Sequence, residues 1–135
     1  MIAKCVGGLL ALVLLLAGVP VFAHHSFAAE FDINKPITLK GVVTRVDWLN
    51  PHIYVYVDVQ DANGKTVNWS VEGGPPNTLY RQGWRKDTLK PGDVVTIDGF
   101  CAKDGSYTAN VPPDRWQQNV HRAAEEGVTK GTPTK

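Results

Sequence analysis

Cysteine is almost missing from this chain: 135 residues carry two, Cys5 and Cys101. Cys5 precedes an apolar run that reads as a removable leader, so Cys101 is left without an internal disulfide partner. It is expected to be a small buried strand residue. Charge of one sign is also missing. Lys and Arg total 14 against 13 Asp and Glu, and removing Lys4 with the leader leaves the two signs equal. No basic run stands out, which argues against a phosphate footprint for nucleic acid and against electrostatic adsorption to a membrane. Enzyme signatures are missing too. There is no serine nucleophile elbow, no H-E-x-x-H and no phosphate-cradling glycine loop, so no catalysis is expected.

What is present begins with "MIAKCVGGLLALVLLLAGVPVFA". Lys4 supplies a positive start. Val6 to Val19 is uncharged and mostly apolar, and Val21-Phe22-Ala23 resembles a small-residue cleavage site. Residues 1–23 are therefore expected to be a signal peptide. The chain is expected to be periplasmic, with no stable membrane anchor after cleavage. A rival cut after Ala28 would remove both His24 and His25. The mature chain, His24 to Lys135, is long enough for one small domain.

From Ile37 the apolar period is two. Ile37 and Leu39 alternate with polar neighbours, and after Gly41 the parity shifts to Val42, Val46 and Trp48. A parity change at a strand glycine predicts a β-bulge there, in a long first strand over 37–48. "HIYVYVDV" puts Ile53, Val55, Val57 and Val59 on one face. "TVNWSVE" does the same with Val67, Trp69 and Val71. If both sets face a core, Val59 pairs with Val67, Val57 with Trp69, and Val55 with Val71. The other face then sets Tyr54 opposite Glu72 and Tyr56 opposite Ser70. "GGPPNTLYRQG" predicts a short helix capped by Asn77 and ended by Gly83. Within it, Gly73 and Gly74 read as a strand-to-helix connector, with a pocket wall as the alternative. "VVTIDGFCA" and "SYTANV" are strands four and five. "RWQQNVHRAAEE" reads as a helix with Trp116 and Val120 on one stripe and Asp114 as its cap.

Three strands, a helix, two strands and an added helix match a mainly β fold, the small five-stranded Greek-key barrel called the OB-fold. An SH3-like small barrel is the alternative. The expected organisation is an N-terminal arm over 24–36, a barrel over 37–112, a C-terminal helix over 113–126 and a polar, disordered tail over 127–135. Phe27 and Phe31, four apart, either share a helical face or pin the arm to the domain.

The segments "AHHSFAAEFD", "KPITLKGVVTRVDWLNPH", "VNWSVEGGPPNTLYRQGW" and "LKPGDVVTIDGFCAKDGS" together resemble a family of small exported Gram-negative bacterial proteins defined only as a domain of unknown function. The resemblance covers about residues 23–110. It implies export and a small β-barrel and supplies no activity.

Two candidate sites follow from the residues. The outer face of strands two and three presents His52, Tyr54, Tyr56, Asn68, Ser70 and Glu72, with Trp48 and Asn50 at the mouth of the preceding loop. In OB-folds this face often holds ligand, and tyrosine offers a stacking ring with a polar tip. The alternative is a face covered by Phe27, Phe31 or Trp116. The second site is conditional on cleavage after Ala23. His24 would then carry a free α-amine and an imidazole, a chelating pair for Cu(II), with His25, His52 or His121 as sources of a further nitrogen. No other cofactor is expected. The expected function is a non-catalytic binding or accessory protein whose partner is a small ligand or another periplasmic protein. Copper binding, or a purely structural or interaction role, is the alternative.

Overall fold

The structure is a computed structural model, and it describes residues 27–123. The leader, His24, His25, the tail and the last residues expected to be helical lie outside these. The described elements run α1 (Phe27–Glu30), β1 (Phe31–Asp47), β2 (Tyr54–Gln60), β3 (Thr66–Glu72), α2 (Pro76–Arg81), β4 (Val94–Ala102) and β5 (Thr108–Asn110). A 3₁₀ turn (Pro113–Arg115), α3 (Trp116–Asn119) and β6 (Val120–Arg122) follow.

Strands order as β1-β2-β3-β5-β4, and β4 pairs back with β1 to close the barrel. The β3–β5 contact is parallel and the others around the ring are antiparallel. This is the Greek-key barrel of the OB-fold, and the SH3-like alternative is set aside. The β2–β3 ladder has the expected register, from Tyr54 opposite Glu72 to Val59 opposite Val67. That register follows from facing, because Val55, Val57 and Val71 must all enter one core, where they are fully buried.

β1 closes the ring by serving two partners. Its first half pairs with β4 and its second half with β2, and Gly41 and Val42 pair on both sides. Here the expected bulge position is corrected. The ladder is regular through Gly41, and the register shift lies between Val43 and Arg45. Gly41 instead marks close approach, since a Cβ there would sit 2.1 Å from the Asp58 carbonyl oxygen. Leu39 and Val43 therefore stay inward while Val42 is exposed, and the parity change after Thr44 brings Val46 and Trp48 against the core. The arm is corrected as well: β1 already begins at Phe31, opposite Ala102.

α2 forms as expected, but its cap is Pro75, with no side-chain hydrogen bond, and not Asn77. Pro76 at the first helical position needs no N–H partner, which explains why no Asx cap is required. Gly83, at φ +91°, turns the chain out of it.

The C-terminal helix is the largest departure. Trp116 and Val120 are buried as the stripe required, yet α3 ends after one turn at Asn119, and Val120–Arg122 adds to β4 opposite Val95–Ile97. β5 is only three residues long and meets β4 at Phe100 and Cys101. The first half of β4 would otherwise present unpaired backbone on that side, and a strand satisfies it where a helix does not. Asp114 lies in the 3₁₀ turn and caps nothing by its side chain. Cys101 is half-buried rather than buried.

Candidate functional site

The barrel's register builds one row across four strands: Tyr54 on β2, Glu72 on β3, Asn110 on β5 and Phe100 on β4. Paired positions put side chains on the same face of a sheet. The row forms the floor of a cleft of about 1020 Å³, which all four residues line.

An aromatic wall stands on one side. Phe27 stacks on Phe31 at 5.7 Å between ring centroids and meets Phe100 edge-on at 5.7 Å. Backbone ties hold this arm in place, with the Lys103 N–H donating to Glu30 O at 2.8 Å and the Lys103 ammonium to the Ala28 carbonyl. The arm thus flanks the tyrosine face at one end without filling the space over it.

Gly73 and Gly74 of the connector, with Pro112 and Pro113, supply further wall. Ile53 accepts from Gly73 N–H at 2.9 Å and donates to Gly74 O at 3.2 Å. A Cβ on Gly73 would meet Trp116 at 2.6 Å, and one on Gly74 would meet Pro113 at 2.5 Å. The glycines are therefore both connector and pocket wall, because only a bare backbone fits between Ile53, Trp116 and Pro113.

Glu72 is the polar centre. It is 8% exposed. His52 Nδ1 lies 2.6 Å from its Oε1, and the Tyr54 hydroxyl donates to the same carboxylate. Burial pushes the Glu72 carboxyl above its ordinary range, the charge of Glu30 adds to this, and His52 opposes it. Burial and the Glu72 charge likewise push the Tyr54 hydroxyl up. Asn110 is also 8% exposed, and its Oδ1 has no hydrogen-bond partner.

The expected ligand face therefore divides. His52, Tyr54 and Glu72 meet in the cleft, while Trp48, Asn50, Tyr56 and Ser70 do not line it. Trp48 packs against the core and Asn50 is exposed before a cis peptide to Pro51. Tyr56 lies under the Arg45 guanidinium, 3.9 Å from its ring centroid. Ser70 donates its N–H to Tyr107 O at 2.9 Å. Asn68 donates to Asp58 at 2.8 Å and to Thr44 at 3.1 Å. The division arises because β5 reaches only Ser70–Glu72 of β3, so the floor is completed at that end alone.

His24 and His25 lie outside the described residues. Among the described residues, no group of three or more His, Cys, Asp or Glu is arranged to hold a metal ion. His121 sits on β6 opposite Thr96 and does not line the cleft.

Phe31, Phe100 and Asn110 went unpredicted as site residues. Phe100 had a readable signal: it falls on the outward parity of β4 with Thr96 and Asp98, opposite Val95 and Ile97. A large aromatic on a strand's polar face invites a function.

Residues 12–111 match a family of unknown function, DUF6152. The chain belongs to this family. No curated protein matches it. Among solved structures, it is similar to the mitochondrial single-stranded DNA binding protein Rim1 from S. cerevisiae, at 9% identity and a TM-score of 0.46. That match covers 66% of this chain and 93% of the other. The fold assignment rests on strand order and register, and nothing about ligand is taken from this likeness.

Proposed function

We propose that this protein is an exported periplasmic binding or accessory module that holds a small ligand in the cleft over the Tyr54–Glu72–Asn110–Phe100 row. One observation carries the reading. A cleft of about 1020 Å³ joins an aromatic wall to a small set of convergent buried polar groups, the composition of small-molecule sites in general. The carboxylate at its centre is raised by burial, which is a further mark of a functional position. The leader pattern around Lys4 and Ala23 supports export. The role is read as binding without turnover, since the sequence holds no nucleophile motif.

The experiment is a ¹⁵N-HSQC titration with three aromatic probes: phenol, indole and phenethylamine. Shifts are expected to cluster on amides of Tyr54, Glu72, Gly73, Gly74 and Asn110. Replacing Tyr54 with Ala is expected to abolish them while the remaining spectrum stays dispersed. Shifts scattered over the barrel, or confined to Tyr56 and Ser70, would overturn the cleft as the site.

A further inference from the structure

Both hydrogens of the cleft's polar centre are spent on one carboxylate. His52 Nδ1 lies 2.6 Å from Glu72 Oε1, and the Tyr54 hydroxyl turns its hydrogen to the same group. A carboxylate only accepts, so Nδ1 carries the proton of this contact. The bond that one imidazole nitrogen makes fixes the state of the other. In the neutral ring Nε2 is therefore a bare acceptor. It sits across the ring from Nδ1. With Nδ1 turned to Glu72 on the floor, Nε2 is turned toward the space above it. His52 lines the cleft with its side chain 36% exposed, so a ligand can reach this edge. Tyr54 lines the cleft as well. Its hydroxyl oxygen has given its hydrogen to Glu72 and keeps only acceptor capacity.

Glu72 thus makes no contact with ligand itself. It sets what His52 and Tyr54 can offer, which is a pair of neutral acceptors. Such a pair is matched by a donor and does not require a charge. Phe27, Phe31 and Phe100 line the same cleft, and their rings favour an aromatic partner in offset or edge-to-face contact. A ligand carboxylate would bring no donor and would face the Glu72 charge. A bare hydrocarbon would cover Nε2 and take its water away without replacing the hydrogen bond. We propose that the cleft binds an uncharged aromatic hydroxyl compound, a phenol, whose O–H donates to His52 Nε2 and whose ring packs on Phe27 and Phe100. This rests on reading the cleft as a ligand site, and it names the ligand class and the atom that selects it.

Titrations of the protein with phenol and with anisole, followed by ¹⁵N-HSQC at constant pH, test it. Anisole keeps the ring and replaces the hydroxyl hydrogen with a methyl group. Phenol is expected to bind about 2- to 10-fold tighter, the worth of one neutral hydrogen bond. Long-range ¹H–¹⁵N spectra of the His52 ring should show Nδ1 protonated and Nε2 bare, with the Nε2 signal moved by phenol and not by anisole. His52→Asn carries an amide that can donate to Glu72 in place of Nδ1 and has nothing at Nε2. It should erase phenol's lead while leaving anisole unchanged, and the wild-type comparison decides without it should the variant fail to fold. Equal affinity for the two probes, a proton on Nε2 in the neutral ring, or a lead that survives in His52→Asn would overturn the hydroxyl assignment. If both probes still shift the cleft amides, the cleft reading stands. Cleft amides unmoved by either probe would overturn both.

Discussion

Replacing Gly73 with Ala should weaken the fold through the wall that shapes the cleft. Gly73 does not adopt a positive φ, so alanine is conformationally acceptable and should gain about 0.4–1 kcal/mol by restricting the unfolded chain. Space decides the sign. The new Cβ would lie 2.6 Å from Trp116 Cζ3 and 2.8 Å from Ile53 Cγ1. Both neighbours are 0–1% exposed and held inside the core, so neither can swing away. Overpacking of this kind costs about 1–3 kcal/mol. The net loss is about 1–2 kcal/mol, which lowers Tm by roughly 4–16 °C for a domain of this size. Urea melts followed by tryptophan fluorescence measure it. The cause is tested by repeating the substitution with Trp116→Phe, which removes the struck ring atoms. In that background Gly73→Ala should cost at least 1 kcal/mol less, approximately, by a double-mutant cycle. An unchanged or raised Tm, or additive effects, would refute the steric reasoning.

Three further outcomes are expected. Gly41→Ala puts a methyl 2.1 Å from the Asp58 backbone oxygen, between two partner strands, and should destabilise by about 3 kcal/mol; a small change in urea midpoint would contradict the close approach. Because burial raises the folded-state Glu72 pKa, the group favours folding most below the ordinary carboxylate range, and that contribution is lost as pH rises through the folded pKa. Wild-type Tm should therefore fall relative to Glu72→Gln between acid and neutral pH, and a gap moving the other way would contradict it. Intact mass of the exported protein should begin at His24; a start at Ala29 would remove both His24 and His25 and end the copper-chelation alternative, whereas a His24 start makes Cu(II) titration of that species decisive.

How much was legible in the sequence depends on how local the cause was. The β2–β3 register follows from strict alternation in "YVYVDV" and "TVNWSVE", and it held at every pair. Gly41 was recognised as unusual, but a strand glycine answers either a bulge or a close neighbour, and only the position of Asp58 decides between them. The Trp116–Val120 spacing suits a helix and equally suits a turn followed by a strand. The unpaired half of β4 chose the strand, and it lies far away in sequence. The cleft was legible in part for the same reason. His52, Tyr54 and Glu72 sit on two neighbouring strands, whereas Phe31, Phe100 and Asn110 come from three distant segments and converge only when the barrel closes.

The central claim is that the Tyr54–Glu72–Asn110–Phe100 row is the floor of a ligand site. A crystal structure of the protein soaked with phenethylamine tests it most directly. The account predicts density in the cleft over the Tyr54–Glu72 floor, with the ring against Phe27 and Phe100. An empty cleft, or the ligand lying over Tyr56 and Arg45, would contradict it.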